Sequence, residues 1–354
     1  MISIHDVAEI EALRRSHNLD IYRLRQFRNV FYKKHGHAVQ ALAEIPEPVR
    51  AEFADQVAFH ALRLESRHDS QLDGASKLLF RTAQGLLIES VILRMTTGRT
   101  ALCLSTQVGC AANCGFCATG KMGIARNLSA AEILDQLIQA NQLLVAENRS
   151  VRNLVFMGMG EPFHNEAQLY AALDVLADRA CFDVNPKRIM ISTVGIPAAM
   201  IRCATRYPEV RMALSLHSAR EEVRRKIMPI SASHCLTELR AALEEVVAIQ
   251  KHLVMIEYLL LENVNDAPED ALALVEYLRG IPVHVNLIPY NPIAEAPEFV
   301  GSDRERRESF SQALKRAGLP VTTRYSLGAD IAAACGQLVR QEHRVRAVRL
   351  STAH

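Results

Sequence analysis

The chain reads as an α/β protein: a partial (β/α)6 barrel with an N-terminal helical domain and a small β-hairpin extension. Three observations predict this. From about residue 100 onward, short runs rich in β-formers alternate with amphipathic stretches of helical length, repeating as six units. The connections between them are short, so the strands must lie parallel with helices crossing over. No Gly-x-Gly-x-x-Gly follows the first of these strands, which argues against a flat doubly wound sheet.

The elements follow in order. Val7–Arg15, Ile21–Lys34 and Val49–Leu64 carry apolar residues at helical spacing, punctuated by Ile45-Pro46-Glu47-Pro48. Lys77–Thr82 and Leu87–Arg94 alternate with a period near two around Gln84-Gly85, which predicts the hairpin. Barrel strands are expected at Ala101–Ser105, Asn153–Met157, Arg188–Ser192, Arg211–Leu216, Leu253–Leu260 and Val283–Ile288. Helices are expected between them at Ala130–Ala146, Glu166–Ala180, Pro197–Thr205, Leu236–Ile249 and Pro268–Arg279. Ser129-Ala-Ala-Glu132 is a capping box and marks the start of the first. A helix at Arg304–Ala317 and a strand at Val321–Tyr325 complete the pattern. The expected division is 1–95 for helices and hairpin, 96–326 for the barrel and 327–354 for a C-terminal tail.

The 354 residues are 49% apolar and 23% charged, which excludes disorder, collagen-like repeats and coiled coil. No run approaches the roughly 18 apolar residues of a membrane span. His5, Asp6, Glu9 and Glu11 fall where a secretory signal would need apolar residues. The expectation is a cytoplasmic protein with no membrane contact. Net charge is only +2, but seven basic residues and one acid lie between Arg14 and Lys34. That stretch is either a solvated helix face or a surface that holds phosphates.

Eight cysteines without a secretory signal point to metal binding or catalysis before disulfides. Cys110-x3-Cys114-x2-Cys117 directly follows the first barrel strand. Three thiolates on one short loop can converge on a single centre. A 4Fe–4S cube held by three cysteines keeps one iron open to a small ligand. Gly109, Gly115 and Gly120 give backbone room beside bulky sulfides. The alternative is structural zinc with Cys103 as fourth ligand, although the spacing lacks paired knuckles. Cys181, Cys203 and Cys235 read as small packed residues.

Polar groups recur at the C-terminal ends of the other barrel strands. They are Met157-Gly-Met-Gly160-Glu161-Pro162, Ser192-Thr193-Val194-Gly195, Ser215-Leu216-His217-Ser218 and Pro289-Tyr290-Asn291-Pro292. In a parallel barrel those ends share one face, where active sites are built. The Gly-Met-Gly-Glu turn can offer carbonyls and a carboxylate to an ammonium group; a plain β-to-α turn is the bland reading. Cys335, within Gly328-Ala-Asp330-Ile-Ala-Ala-Ala-Cys335-Gly336, is either a core cysteine or a nucleophile on a glycine-flanked tail.

C-x3-C-x2-C with Phe116 before the last cysteine resembles the radical S-adenosylmethionine (SAM) superfamily. Further motifs narrow this. Phe116-Cys-Ala-Thr-Gly120, Arg126-Asn-Leu128, Phe156-Met-Gly-Met-Gly-Glu161, Ser215-Leu-His217, Val264-Asn-Asp266, Asn286-Leu-Ile-Pro-Tyr-Asn-Pro292 and Ala334-Cys-Gly-Gln-Leu338 are similar to the RlmN/Cfr family. Those enzymes methylate an adenine of 23S ribosomal RNA. The likeness spans about residues 20–340 and reaches the N-terminal domain through Tyr22-Arg23 and Gln26.

The resemblance implies that Cys110, Cys114 and Cys117 hold a 4Fe–4S cluster. Gly160, Glu161, Ser192, Ser215, Leu216, His217 and Asn291 would line the SAM site. Cys335 would accept a methyl group, Cys103 would be the resolving thiol and Glu89 the base. Two SAM molecules are used per turnover. One methylates Cys335; the other yields the radical that activates this methyl for attachment to adenine. Cys103 then releases the product and leaves a Cys103–Cys335 disulfide. The implied partners are 23S rRNA, with transfer RNA as a further candidate, and an electron donor such as flavodoxin. Residues 1–95 become an RNA-docking domain.

The family acts at C2 or C8 of adenine. Glu161-Pro162 matches the C2 branch; Tyr207-Pro-Glu-Val210 and Ala296-Pro-Glu-Phe299 resemble the C8 branch, and Ile124 replaces the Phe expected for C2. The expectation is C2, with C8 the alternative. Two other classes remain: a radical enzyme acting on a protein or small molecule, and a zinc-binding RNA adaptor without catalysis.

Overall fold

The computed structural model describes residues 1–250 and 252–338. Its framework is a ten-stranded sheet whose spatial order follows the chain. The strands are β1 (Leu62–Asp69), β2 (Ala75–Thr82), β3 (Leu87–Arg94), β4 (Thr100–Cys103), β5 (Asn153–Phe156), β6 (Ile189–Thr193), β7 (Arg211–Ser215), β8 (Val254–Leu260), β9 (Val283–Pro289) and β10 (Val321–Thr323). From β4 to β10 all pairs are parallel; β1 to β4 are antiparallel. The sheet ends at β1 and β10, so the barrel is open.

Crossover helices Ala130–Leu144, Glu166–Ala177, Pro197–Arg206, Leu236–Gln250, Pro268–Leu278 and Arg304–Arg316 lie within a few residues of expectation. Ser129 and Glu132 form the expected capping box. Between strands and helices lies a core of Leu102, Leu154, Phe156, Ile191, Leu214, Ile256 and Val285, each at most 1% exposed.

Two features depart from expectation. The third N-terminal helix spans Glu47–Gln56 and does not reach Leu64, because Leu62–Asp69 is strand β1. Val57, Ala61 and Leu64 happen to repeat at helical spacing. Pairing of β1 along the whole length of β2 outweighs that local pattern. The sheet also runs through residue 95: Val91 pairs with Cys103 and Leu93 with Ala101. The hairpin is thus part of the barrel sheet. The helices before it gather a separate core from Ile10, Leu24, Phe27, Phe31 and Phe53, closed by Ile138 and Cys181 from the barrel side. Residues 339–354 of the expected tail lie outside the described residues.

The basic stretch is only partly free. Arg14 and Arg15 pair with Glu11, Lys33 with Asp183, and Arg28 is buried. Arg23, Arg25 and Lys34 are exposed. No described helix is long and apolar enough to cross a membrane.

Candidate active site

The cysteine loop is framed by a small antiparallel pair, Gln107–Gly109 with Ile124–Asn127, and by the short helix Ala118–Lys121. Two backbone bonds close it: Cys110 N–H to Gly123 O and Gly115 N–H to Ile227 O. Gly120 leaves room that a Cβ would take, because that atom would stand 2.9 Å from both Cys114 N and O. The thiols of Cys110, Cys114 and Cys117 line one cavity at the C-terminal ends of the parallel strands.

The residues fit a thiolate-bound cluster. Burial pushes the Cys110 thiol up to about 12 and those of Cys114 and Cys117 above the ordinary range. Burial thus favours the neutral thiols, and coordination of a cluster is what would ionise them. The Ala112 N–H favours the charged form of Cys110, and the Thr119 and Gly120 N–H groups that of Cys117. Such donors stabilise thiolate ligands of iron. Among the described residues no trio of His, Cys, Asp or Glu is arranged to hold a single ion; the three cysteines stand around a cavity instead. Cys103 does not join them. Its nearest charged influences are Cys335 and Arg324.

Gly160, Glu161, Ser192, Ser215 and His217 line the same cavity, alongside Thr193, Val194, Phe116, Glu257 and Tyr290. Gly160 has φ +99°, and a Cβ there would meet Gln107 Cβ at 2.5 Å, so the turn after β5 requires glycine. Glu161 is buried, accepting from Thr193 Oγ1 (2.8 Å), Val194 N (2.8 Å) and Phe163 N (3.0 Å). Burial lifts its pKa to about 7 against those three bonds. A ligand ammonium would complete the site electrostatically. Ser192 and Ser215 hydroxyls lie 3.2 Å apart. His217 accepts at Nδ1 from Leu259 N–H at 3.0 Å, so its proton sits on Nε2; burial lowers its pKa to about 3 and keeps it neutral.

Leu216 and Asn291 are placed differently. Leu216 is wholly buried and offers its carbonyl to Arg224. Asn291 Nδ2 donates to Ser326 Oγ and to the Cys335 carbonyl, both at 3.1 Å. Glu89 is buried in β3, on the face that carries Val91 and Cys103, with Lys77 Nζ 3.4 Å away.

A second cavity adjoins the first. Cys103 and Cys335, 232 positions apart, both line it, with Val91, Leu93, Tyr325 and Leu327. Met157, Gly158, Arg324 and Cys335 border both cavities. Both cysteines are free thiols. Burial raises the Cys103 thiol to about 12, Cys335 adds to that rise, and Arg324 opposes it.

The tail is latched from several sides. Asp330 accepts from Ser70 Oγ (2.8 Å) and Gln71 N (2.9 Å), Asp73 from Gly328 N (2.8 Å), and Ala332 O from Lys77 Nζ (3.2 Å). Arg324, Glu257, Lys77 and this latch were not singled out by sequence reasoning. Arg324 directly precedes Tyr325 on the expected strand Val321–Tyr325, and a lone charge in that strand was the available signal.

Residues 104–277 match the Radical SAM superfamily model. The chain is 49% identical to a probable RNA methyltransferase of Rhodopirellula baltica, over 98% of this chain and 90% of the relative. It is 40% identical to the probable dual-specificity RNA methyltransferase RlmN of Thermus thermophilus, over 90% and 88%. The chain belongs to the RlmN/Cfr family of radical SAM RNA methyltransferases. A crystal structure of a radical SAM methyltransferase from Sphaerobacter thermophilus superposes with a TM-score of 0.91 at 36% identity, over 96% of this chain and 99% of that one. As a member of the RlmN/Cfr family it is an enzyme that uses a 4Fe–4S cluster and SAM. The likeness spans nearly the whole length, so the N-terminal helices and the tail belong to the family architecture as much as the barrel does.

Proposed function

We propose that this enzyme methylates C2 of an adenine in 23S rRNA through a methyl group carried on Cys335, and that it also accepts transfer RNA. One observation carries the reading: Cys103 and Cys335 line a single cavity that opens beside the cluster and SAM cavity. A methyl carrier and a thiol able to release it need that adjacency. The printed name of the Thermus relative, a dual-specificity RNA methyltransferase, supports a second RNA substrate. Glu161-Pro162 favours C2 over C8.

The aromatic carbon to be methylated is not nucleophilic, so direct attack on a sulfonium methyl is very slow, and the work is divided. With a cluster on Cys110, Cys114 and Cys117 and an electron from a donor such as flavodoxin, bound SAM supplies a carbon radical. Glu161 and the Gly160 turn hold the SAM ammonium end; Ser192, Ser215 and neutral His217 orient the rest. The Cys335 thiolate takes a methyl from a first SAM by displacement at carbon. That methyl, after losing a hydrogen atom, joins Cys335 to the adenine carbon. Glu89 takes the ring proton, and the unpaired electron of the adduct would return to the oxidised cluster, which restores the aromatic ring. The Cys103 thiolate then attacks the Cys335 sulfur: the S–S bond forms, the C–S bond breaks with its electron pair left on the methylene carbon, that carbon takes a proton to become a methyl, and methyl-adenine leaves. Arg324, beside both thiols, favours the charged form of Cys103.

Docking of the RNA falls to Arg23, Arg25 and Lys34, and exposed Tyr325 at the rim of the second cavity can stack the extruded base. Mass spectrometry of adenines in 23S rRNA and transfer RNA from cells with and without the gene tests the assignment. A 2-methyl group present only with the gene is the expected result; an 8-methyl group moves the enzyme to the other branch, and no change removes RNA as substrate.

A further inference from the structure

Arg224 is the largest fully buried side chain of the described residues, 1% exposed, on the helix Glu221–Ile227. Its Nε donates to Leu216 O at 3.1 Å and its Nη2 to Val194 O at 2.5 Å. These carbonyls belong to the segments after β7 and β6, the same segments that present Ser215, His217 and Val194 to the SAM cavity. Nη1 has no partner. Among the described residues no carboxylate lies within the 4.0 Å of an ion pair with it. An arginine does not escape by losing its proton. Glu221, one turn back, is engaged by Arg225 and the Leu236 N–H, so the guanidinium is a buried cation with no carboxylate in contact, which folded proteins avoid.

What lies beside it supplies the answer. The carbonyl of Ile227, which ends the helix, accepts from Gly115 N–H, directly after Cys114. Ile227 and Met228 pack in one apolar cluster with Cys110 and Cys114. Tyr277, Cys114 and Glu221 all act on the guanidinium, and Arg224 in turn favours the charged form of Cys114. Three thiolates outweigh the positive charge of an oxidised 4Fe–4S core, and the electron that reduces it adds more negative charge. Cluster potentials follow such net charge.

We propose that Arg224 is a positioning residue and the buried counter-charge of the cluster. It stitches the two strand ends that hold SAM, and its charge favours the reduced cluster, raising the midpoint potential. The account rests on the family's cluster and not on the identity of the RNA or of the methylated carbon.

The test uses the full chain with its cluster reconstituted anaerobically, and reads the midpoint potential by dithionite titration followed by electron paramagnetic resonance. Arg224→Lys keeps the charge; Arg224→Gln removes it while keeping a donor for one carbonyl. Iron and sulfide content confirms loading in each. The expected result is a more negative midpoint for Arg224→Gln and a near-unchanged one for Arg224→Lys. Equal potentials in wild type and Arg224→Gln, or a shift in Arg224→Lys as large as that in Arg224→Gln, would overturn the charge role and leave the arginine a purely structural stitch.

Discussion

Lys77 Nζ lies 3.4 Å from the Glu89 carboxylate and 3.2 Å from the carbonyl of Ala332, three residues before Cys335. Both side chains are almost wholly buried, at 1% and 2% exposure. Register places Lys77, Val91 and Cys103 on one rung across three strands. Glu89, the Lys77 latch of the tail and the Cys103 thiol thus share one face of the sheet. Lys77→Met leaves the carboxylate without this partner, and breaking a buried pair costs about 3 to 5 kcal/mol. Chemical denaturation is expected to show that loss. Glu89→Gln is expected to keep Cys335 methylation but accumulate a protein–RNA adduct, seen as a shifted band on denaturing gels; normal turnover removes Glu89 as base.

Arg23, Arg25 and Lys34 replaced together by Ala are expected to weaken RNA binding and flatten its salt dependence. Each phosphate no longer neutralised lowers the log–log slope by roughly 0.7 to 0.9. Arg28 is excluded because it is buried, with Nε and Nη2 unpartnered, and its loss would disturb the helical core. An unchanged slope in filter-binding titrations makes this face merely solvated.

Tyr325 is 66% exposed at the rim of the cavity that holds both thiols. Stacking a base on an aromatic ring contributes about 1 to 3 kcal/mol. Tyr325→Ala is expected to raise KM for RNA by about ten-fold to a hundred-fold, with SAM cleavage in the absence of RNA unchanged. Tyr325→Phe should behave as wild type. Equal KM values in all three proteins contradict the stacking role.

His5 locks the N-terminal helices to the barrel: its ring stacks on Phe182 at 6.1 Å and its Nδ1 meets Tyr32 OH at 3.2 Å. Burial lowers its pKa from 6.5 to about 4. The folded state holds the neutral ring, so this contribution is complete above pH 6.5 and is lost as pH falls through 4. The loss is on the order of 3 kcal/mol. Thermal unfolding of wild type against His5→Phe over that window should converge as pH falls; parallel curves would show that His5 does not titrate with unfolding.

The fold was legible because six apolar runs and six amphipathic stretches alternate with little interruption, and the cysteine loop because three cysteines sit within eight residues. Strand β1 was not, since Val57, Ala61 and Leu64 mimic a helical stripe. Glu161 could be singled out from its turn, whereas Arg224 and Lys77 could not. A buried charge looks like a surface charge in sequence, and only packing shows that Leu216 and Val194 carbonyls or Glu89 are its partners. Asn291 shows the same limit: its position by the site was readable, but its bond to the Cys335 carbonyl depends on where the tail folds back.

The central claim is that two thiols from opposite ends of the barrel complete one reaction. Cys103→Ala, incubated anaerobically with SAM, a reductant and RNA, tests it most directly by mass spectrometry of the protein. Cys335 should still accept a methyl, since that step uses only its own thiolate. The variant is then expected to accumulate RNA joined through one carbon to Cys335, with little free methyl-adenine, and Cys103→Ala with Cys335→Ala should form no adduct. Normal turnover by Cys103→Ala, or cross-linking by the double variant, would contradict the two-thiol account.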